Sequence, residues 1–194
     1  MIQISQIYGV KRFLYTSSIA VENPESDKYP AWAKMTGETL IDAMRIQYPN
    51  GTKYCIVRPA NVYGKYDNFD NPNAMVVTSL INKGIKDGKL VLDKRGCCQI
   101  RDLINAKDVA LGMIKVIEEM PKESVNLSSG KGVMIDKVAK IICKELNIKY
   151  SYADLGITLG PQKKIMKKPY IKPTITLEDG IKEVVEYVRN KNTV

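Results

Sequence analysis

Apolar positions along the chain form either short continuous runs or helical repeats, and these two spacings define its predicted elements. The run at 10–15, which is apolar after a charged start, and the run at 53–57 predict buried strands. Between them, polar residues 23–28 predict a loop, and helical spacing predicts a helix from Pro30 to about Tyr48. This order of strand, helix and strand is typical of the crossover that connects parallel strands.

The rest of the chain continues this alternation. Residues 61–73 are rich in Asn, Asp and Gly and predict a long polar loop. Further helices are predicted at 74–86, 108–120 and 133–146, and further strands at 89–93, 99–105 and 124–127. A last helix is predicted from Thr176, where the following Asp179 forms a variant of the capping box. We interpret residues 2–8 as the end of a helix that stops at Gly9.

Composition and charge narrow the class of protein. The 194 residues suit one domain or slightly more, and no apolar run is long enough to span a membrane. The N-terminus lacks signal-peptide features and the four cysteines show no CxxC spacing, so we expect a cytoplasmic protein with reduced thiols. Because the chain has no histidine, we expect no metal site. The net charge of +9 attracts polyanions, but without interleaved aromatics we do not expect a nucleic-acid partner.

The stretch 13–34 contains the most evident candidate chemistry. It predicts a buried strand that ends in hydroxyls, then a polar loop, then a helix with Lys34 near its start. From these residues alone, Ser18 is an ordinary strand-end hydroxyl that caps local backbone. Lys34 alone is a solvated surface lysine. The segments around these two residues change that interpretation.

Seven segments resemble the extended short-chain dehydrogenase/reductase family, which contains the NAD-dependent sugar-nucleotide epimerases and dehydratases. In chain order they are GVKRFLYTSSIAV, AKMTGE, VRPANVYGKYDNF, AMVVTSLI, IRDLINAKDVA, VNLSSGKGV and TITLEDGIKEVVEYV. The resemblance implies an α/β fold, with the C-terminal part of a Rossmann-like doubly wound parallel sheet and a small α+β substrate-binding domain. It implies that residues 1–63 form a partial NAD(P)-binding domain to which 101–130 return. Residues 64–100 and 131–194 would form the substrate-binding domain.

The resemblance also implies a reaction centre. In this family a Ser or Thr after the strand and a Tyr-x-x-x-Lys on the next helix move a proton at a sugar hydroxyl while a hexose carbon exchanges hydride with nicotinamide. Ser18 and Lys34 match the hydroxyl and the lysine, and Lys34 would also hydrogen-bond the ribose of the cofactor, NAD or NADP. Pro30 stands where the tyrosine is expected. Tyr29, one residue earlier and about 100° away on a helix, is the candidate acid/base at or just outside the predicted helix start.

On the substrate side, the resemblance implies roles for four further residues. Pro59 and Asn61 would lie near the nicotinamide, and Asn61 also near the sugar. Arg101 matches an arginine that reaches the nucleotide diphosphate, which suits the planar fork of a guanidinium. The helix predicted from 74 would direct its N-terminal amides, at Val76, toward the same diphosphate.

Structural alternatives stay open at several of these positions. Asn61 could instead bond its own backbone at the start of a loop. Arg101 could pair with Asp102 or another carboxylate. For Asp102 and Asp108 we expect structural roles, at a strand end and a helix cap.

The cofactor phosphate loop of the family, G-x-x-G-x-x-G, is absent from the sequence. We therefore expect an NAD-dependent epimerase/dehydratase-like protein that acts on a nucleoside-diphosphate sugar, is truncated, and is catalytically impaired alone. Its strand at 10–15 would have an uncovered edge. The alternative is a non-catalytic remnant that binds a nucleotide sugar or a partner. Expected partners are the nucleotide sugar, a complementary N-terminal half and a second copy of the chain.

Overall fold

The computed structural model describes residues 1–69, 71, 74–156 and 163–191. Within these ranges the helices are α1 Ile2–Ile7, α2 Pro24–Gln47, α3 Val76–Asp87, α4 Ala106–Glu119, α5 Ile135–Leu146 and α6 Leu177–Lys191. The strands are β1 Arg12–Thr16, β2 Lys53–Pro59, β3 Asn61–Tyr63, β4 Lys89–Asp93, β5 Ile100–Asn105, β6 Val125–Leu127, β7 Gly132–Met134, β8 Lys149–Ala153 and β9 Lys163–Lys164. Two short 3-10 helices, Ile19–Glu22 and Gly96–Cys98, follow β1 and β4. None of the helices in these ranges has the length and apolar character needed to cross a membrane.

A parallel sheet in the order β1-β2-β6 supports the candidate site. Successive side chains of β2 point to opposite faces, so each face contributes to a different core. Tyr54 and Ile56 pack against Ile41 of α2. Cys55 and Val57 pack with apolar residues of α4. Helix α2 thus forms the crossover between parallel β1 and β2, as predicted from the sequence.

β1 lies at one edge of this sheet. In the described part of the chain it pairs only with β2. Its central residues Phe13, Leu14 and Tyr15 are half-buried, whereas the centre of β2 is fully covered. Within the described residues, the predicted uncovered edge is therefore observed.

The remaining strands form smaller groups. β3 pairs in parallel with β5, which also pairs with β7 in antiparallel and with β9 in parallel orientation. β4 pairs in parallel with β8. Helices α3, α5 and α6 share a core that includes the fully buried Ile81, Ile142 and Ile181. The division of the chain into 1–63 with 101–130 and 64–100 with 131–194 stays a prediction.

The start of α2 differs from the prediction. The helix begins at Pro24 and continues through Pro30, so the loop predicted at 23–28 is wrong. Proline at the first helical turn loses no hydrogen bond, because the first N–H groups of a helix have no partner within it. Two prolines could satisfy this rule, and the earlier one does.

Two other boundaries also differ, and one predicted cap is confirmed. Residues 61–63 form β3 inside the predicted loop, where they pair with β5. The helix predicted from 133 begins at Ile135, because the residues before it pair with β5 as β7. At the last helix, the Thr176 hydroxyl accepts a hydrogen bond from the backbone N–H of Asp179 at 3.1 Å, as predicted.

Candidate functional site

A cleft of about 570 Å³ opens at the carboxyl ends of β1, β2 and β3. Its lining includes Thr16 at the end of β1, Ser17 and Ser18 directly after it, Lys34 of α2 and Pro59 of β2. Later strands, the loop after β3 and helices α4 and α6 complete the lining, with Tyr63, Gly64, Lys65, Tyr66, Asp67, Met75, Asn105, Ala106, Lys107 and Glu183. In open parallel sheets, ligands bind in crevices outside the carboxyl ends of the strands. The cleft is therefore the candidate site.

Lys34 reaches this cleft from α2. Its Nζ donates a hydrogen bond to the carbonyl oxygen of Thr16 at 2.8 Å and lies 5.7 Å from the centre of the Tyr15 ring. The close approach of α2 to β1 depends on Gly37, since a Cβ there would lie 2.2 Å from the Tyr15 hydroxyl oxygen. An ammonium group carries three protons. Lys34 can therefore donate to a ligand while it remains attached to the strand end.

Ser18 begins the short 3-10 helix that follows β1. Its Oγ accepts a hydrogen bond from the backbone N–H of Ala20 at 3.1 Å. The local capping role expected from the residues alone is therefore present. A hydroxyl that accepts one hydrogen bond can still donate its own proton, so this cap is compatible with a contact to substrate.

An ion pair beneath the cleft connects α2 to β2. Glu38, one turn after Lys34, accepts hydrogen bonds from Arg58 Nε at 2.9 Å and from Arg58 Nη2 at 2.6 Å. Burial alone would raise the pKa of Glu38, but the hydrogen bonds and charge of Arg58, together with the nearby Ser17 hydroxyl, outweigh burial and hold that pKa below its ordinary value. The same bonds raise the pKa of Arg58. Ser17 lies beside the pair and is only 3% exposed, yet its hydroxyl makes no hydrogen bond of ordinary geometry to the described residues.

Tyr29 lies outside the cleft. Its side chain is 89% exposed, and it does not line the cavity. The prediction that it stands at or just outside the helix start is wrong, because α2 already begins at Pro24. Pro30 occupies the position one turn before Lys34, and Tyr29 is rotated from it by about 100°. The structure therefore does not bring Tyr29 together with Ser18 and Lys34.

Asn61 and Arg101 lie on the paired strands β3 and β5, outside the cleft lining. Asn61 Nδ2 donates to the carbonyl oxygen of Asp102 at 2.9 Å, so the side chain connects the two strands. Arg101 donates to Gln99 Oε1 at 2.6 Å and to the Ile100 carbonyl oxygen at 3.0 Å. The Asn61 amide thus stabilises the neighbouring strand, whereas the Arg101 guanidinium is half-buried next to the turn that precedes β5.

Asp102 and Asp108 are both structural, as expected, but their predicted positions are wrong: Asp102 lies inside β5 and not at its end, and Asp108 is not the cap of α4. The fully buried Asp102 carboxylate accepts hydrogen bonds from the Ser129 hydroxyl at 2.5 Å and the Met166 N–H at 3.2 Å, among others. Asp108, in the first turn of α4, accepts from the Thr174 N–H at 2.9 Å. These two carboxylates connect later parts of the chain to β5 and α4. The cap of α4 itself is Asn105, whose Oδ1 accepts from the Lys107 N–H.

Val76 begins α3, directly after the cleft-lining Met75. Its side chain packs against the core that α3 shares with α5 and α6. The first N–H groups of a helix have no partner within it. Any contact of Val76 with a ligand would therefore use its backbone, as predicted, and not its side chain.

Sequence reasoning missed two buried polar residues of the cleft, Tyr63 and Asn105, which are 3% and 2% exposed. Burial raises the pKa of Tyr63 to about 12, so the phenol stays protonated at neutral pH and can donate a hydrogen bond. Gly180 of α6 gives both side chains room, since a Cβ there would lie 2.3 Å from the Tyr63 hydroxyl oxygen. Tyr63 belongs to the segment RPANVYG and could have been singled out there. Asn105 had only its position before a helix as a signal.

Charged residues from the loop after β3, from α4 and from α6 meet in the lining of the cleft. Glu183 Oε1 lies 2.5 Å from Lys107 Nζ and 3.5 Å from Lys65 Nζ. The two ammonium groups hold the pKa of Glu183 below its ordinary value against the effect of burial, with the hydrogen bond from Lys107 as the largest contribution. No sequence motif indicated this cluster, because its members are far apart along the chain. Among the described residues, no three Cys, Asp or Glu side chains cluster as metal ligands would.

Comparison with solved structures supports this architecture. The UDP-glucose 4-epimerase of Thermotoga maritima, solved with UDP-glucose, superimposes with a TM-score of 0.82 at 23% identity, over 98% of this chain and 67% of its own. The dTDP-glucose 4,6-dehydratase of Bacillus anthracis, solved with NAD, gives a TM-score of 0.81 at 15% identity, over 99% of this chain and 66% of its own. The protein therefore has the Rossmann-like α/β fold with parallel strands that the sequence predicted.

Sequence comparison identifies the family. The sequence model of the NAD dependent epimerase/dehydratase family matches residues 1–128. This chain belongs to that family, as its seven segments predicted.

Curated relatives are distant and longer. A putative UDP-glucose 4-epimerase of Methanocaldococcus jannaschii is 28% identical over 192 residues, which are 96% of this chain and 61% of the relative. A GDP-L-colitose synthase of Yersinia pseudotuberculosis is 26% identical over 173 residues, which are 83% of this chain and 56% of the relative. The chain thus spans little more than half the length of these relatives.

Proposed function

We propose that this chain contributes the sugar-reacting part of an NAD-dependent epimerase or dehydratase that acts on a nucleoside-diphosphate sugar, and that alone it is catalytically impaired. The observation that carries the proposal is the shared cleft of Ser18 and Lys34 at the carboxyl ends of parallel strands. The names of the relatives, which include enzymes of UDP-, GDP- and dTDP-linked sugars, support the substrate class.

Each residue then has a distinct task. The Ser18 hydroxyl donates its proton to an oxygen of the sugar. The Lys34 ammonium keeps its bond to Thr16 and uses a second proton for a ribose hydroxyl of the cofactor. Pro59 and Asn61 position the nicotinamide end of the site, and Asn61 also meets the sugar. Tyr29 serves as acid/base, which requires the first turns of α2 to bring its exposed phenol into the cleft.

The diphosphate of the substrate would lie outside the cleft proper. Arg101 exchanges its bond to Gln99 for a bidentate contact with phosphate oxygens. The backbone N–H of Val76 faces the same phosphates at the start of α3, where helix N–H groups favour anions.

The cofactor, NAD or NADP, fits these residues only in part. The cleft has hydroxyls and an ammonium for a nicotinamide riboside, whereas the sequence has no G-x-x-G-x-x-G loop for the pyrophosphate. When bound, the nicotinamide would accept and return a hydride at a sugar carbon. We therefore propose that a complementary N-terminal half supplies the phosphate loop and pairs with the free edge of β1.

Two further parts of the proposal rest on analogy with the family. Two copies of the chain would pair through α2 and its neighbouring helix, where Trp32 and Leu40 are more than half exposed. The cytoplasm would be the location, with the four cysteines reduced. A gel-filtration mass of a single chain would overturn the dimer.

One observation favours the alternative, a non-catalytic remnant that binds a nucleotide sugar or a partner. The position one turn before Lys34 is Pro30, and the tyrosine that precedes it in the sequence, Tyr29, is 89% exposed. Positioning errors near 1 Å already reduce rates by about 10²-fold. Under this alternative, the cleft would bind the nucleotide sugar without converting it.

The catalytic proposal and the non-catalytic alternative both require that the chain binds a nucleotide sugar. Calorimetric titration with UDP-, GDP- and dTDP-glucose tests this binding. We expect at least one to bind, and Arg101→Ala to weaken its binding by about tenfold, because a charge-assisted pair is lost. Arg95→Ala is the matched control, since its side chain is 61% exposed on the preceding turn and has no proposed role in substrate binding. If none of the three nucleotide sugars binds, or if both variants lose the same amount of affinity, the proposed substrate class would be overturned.

A further inference from the structure

Cys97 and Cys98 are neighbours in the 3-10 helix between β4 and β5, outside the cleft. Both are free thiols; Cys97 is 8% exposed, whereas Cys98 is open to solvent. Both sulfurs donate to the same atom, the carbonyl oxygen of Lys94, at 3.3 Å and 3.5 Å. The two thiols therefore lie on the same side of the turn, one at the surface and one against the core.

We propose that Cys97 and Cys98 form a redox site, which a hydroperoxide oxidises to a disulfide between the two adjacent residues. Cys98 is the exposed thiol, so a hydroperoxide in solution reaches its sulfur first. Cys97 is held by the core within reach of the oxidised sulfur. Disulfides in reducing compartments are typically transient and redox-sensing, and the proposed one is of that kind.

The reaction balances in two steps. The Cys98 thiolate attacks an oxygen of the hydroperoxide; an S–O bond forms, the O–O bond breaks, and the alcohol or water leaves. The Cys97 thiolate then attacks the sulfur of the resulting sulfenic acid. The S–S bond forms, the S–O bond breaks, and hydroxide leaves as water. Two thiols are oxidised, and one hydroperoxide is reduced to an alcohol, or water, and one water.

Adjacency makes this disulfide reversible. Neighbouring Cα atoms lie about 3.8 Å apart across a trans peptide, below the range of about 4.4–6.8 Å found for most disulfides. Strained disulfides are the more readily reduced ones. The oxidised turn is therefore expected to return to two thiols under a dithiol reductant.

A single peptide tests the proposal in the full chain. Trypsin cleaves after Arg95 and Arg101 and releases residues 96–101, which contain both cysteines and no other. After hydrogen peroxide and without reductant, we expect this peptide to lose the mass of two hydrogen atoms, and dithiothreitol to restore it. In Cys98→Ser, the peptide should no longer lose the mass of two hydrogen atoms. Cys143→Ser, which removes a buried cysteine of α5, should leave it unchanged.

Two results would overturn the proposal. One is a peptide of unchanged mass when peroxide oxidises other residues of the protein. The other is a peptide that only gains oxygen atoms, because the Cys98 sulfenic acid then advances without reacting with Cys97.

Discussion

Replacing Glu38 by glutamine should loosen the contact between α2 and β2 beneath the cleft. Glu38 accepts two charge-assisted hydrogen bonds from Arg58, at 2.9 Å and 2.6 Å, and the two side chains are 14% and 26% exposed. Loss of a partner from a fully buried pair costs about 3–5 kcal/mol, and a fully exposed pair contributes about 0.2–1 kcal/mol. The intermediate exposure places the expected loss in the free energy of unfolding at about 2 kcal/mol.

Urea-induced unfolding measures this loss directly, from the shift in midpoint at constant slope. Asp42→Asn is the matched control on the same helix, because Asp42 pairs with Arg45 at 3.0 Å and its side chain is 64% exposed. We expect the control to cost less than about 0.5 kcal/mol. Equal stability of the wild-type protein and Glu38→Gln would refute the reasoning, since the pair would then contribute nothing beyond an exposed one.

The pH dependence provides a second test of the same pair. Arg58 lowers the pKa of Glu38 in the folded state, so the carboxylate stabilises the fold above the ordinary pKa of a glutamate, about 4.3. This contribution is lost as the pH falls through the lowered pKa. The stability difference between wild type and Glu38→Gln should therefore be full at neutral pH and shrink toward pH 3. If the stability difference instead grew as the pH falls, the pKa of Glu38 could not be lowered in the folded state.

Three further substitutions test the surroundings of the site. Gly37→Ala should destabilise by about 1–3 kcal/mol, because its Cβ would overlap the Tyr15 ring, whereas Thr36→Ala on the exposed face should change thermal stability little. Asp102→Asn should cost about 2 kcal/mol in urea unfolding, because an amide cannot accept from all the donors that the buried carboxylate binds. Tyr29→Phe should lower the turnover of a protein reconstituted with the N-terminal half by about 10²-fold or more; unchanged turnover would remove Tyr29 from the mechanism.

Local patterns predicted the strand–helix–strand unit and the last helix well. The continuous apolar run of β2 and the Thr176 cap are consequences of neighbouring residues, so local sequence alone was sufficient to place them. The start of α2 was harder, because Pro24 and Pro30 both satisfy the rule for a first turn. The error had a consequence for function, since it placed Tyr29 at a helix end when it lies well inside the helix.

The candidate site was predictable only where it coincides with contiguous segments. Ser18 and Lys34 lie in recognisable motifs, and both line the cleft. The cluster of Lys65, Lys107 and Glu183 forms only when the loop after β3 meets α4 and α6, so no local pattern could indicate it. Contacts of this kind depend on the tertiary arrangement and not on sequence spacing.

The central claim is that this chain carries the sugar-reacting part of an NAD-dependent site and lacks the cofactor phosphate loop. Its most direct test is titration with NAD, for the chain alone and for the chain mixed with a separately expressed polypeptide that carries a G-x-x-G-x-x-G loop between a strand and a helix. We predict weak binding by the chain alone, strong binding by the mixture, and conversion of a nucleotide sugar that Lys34→Met abolishes. A mixture that binds no NAD, or that binds it but converts no nucleotide sugar, would contradict the claim.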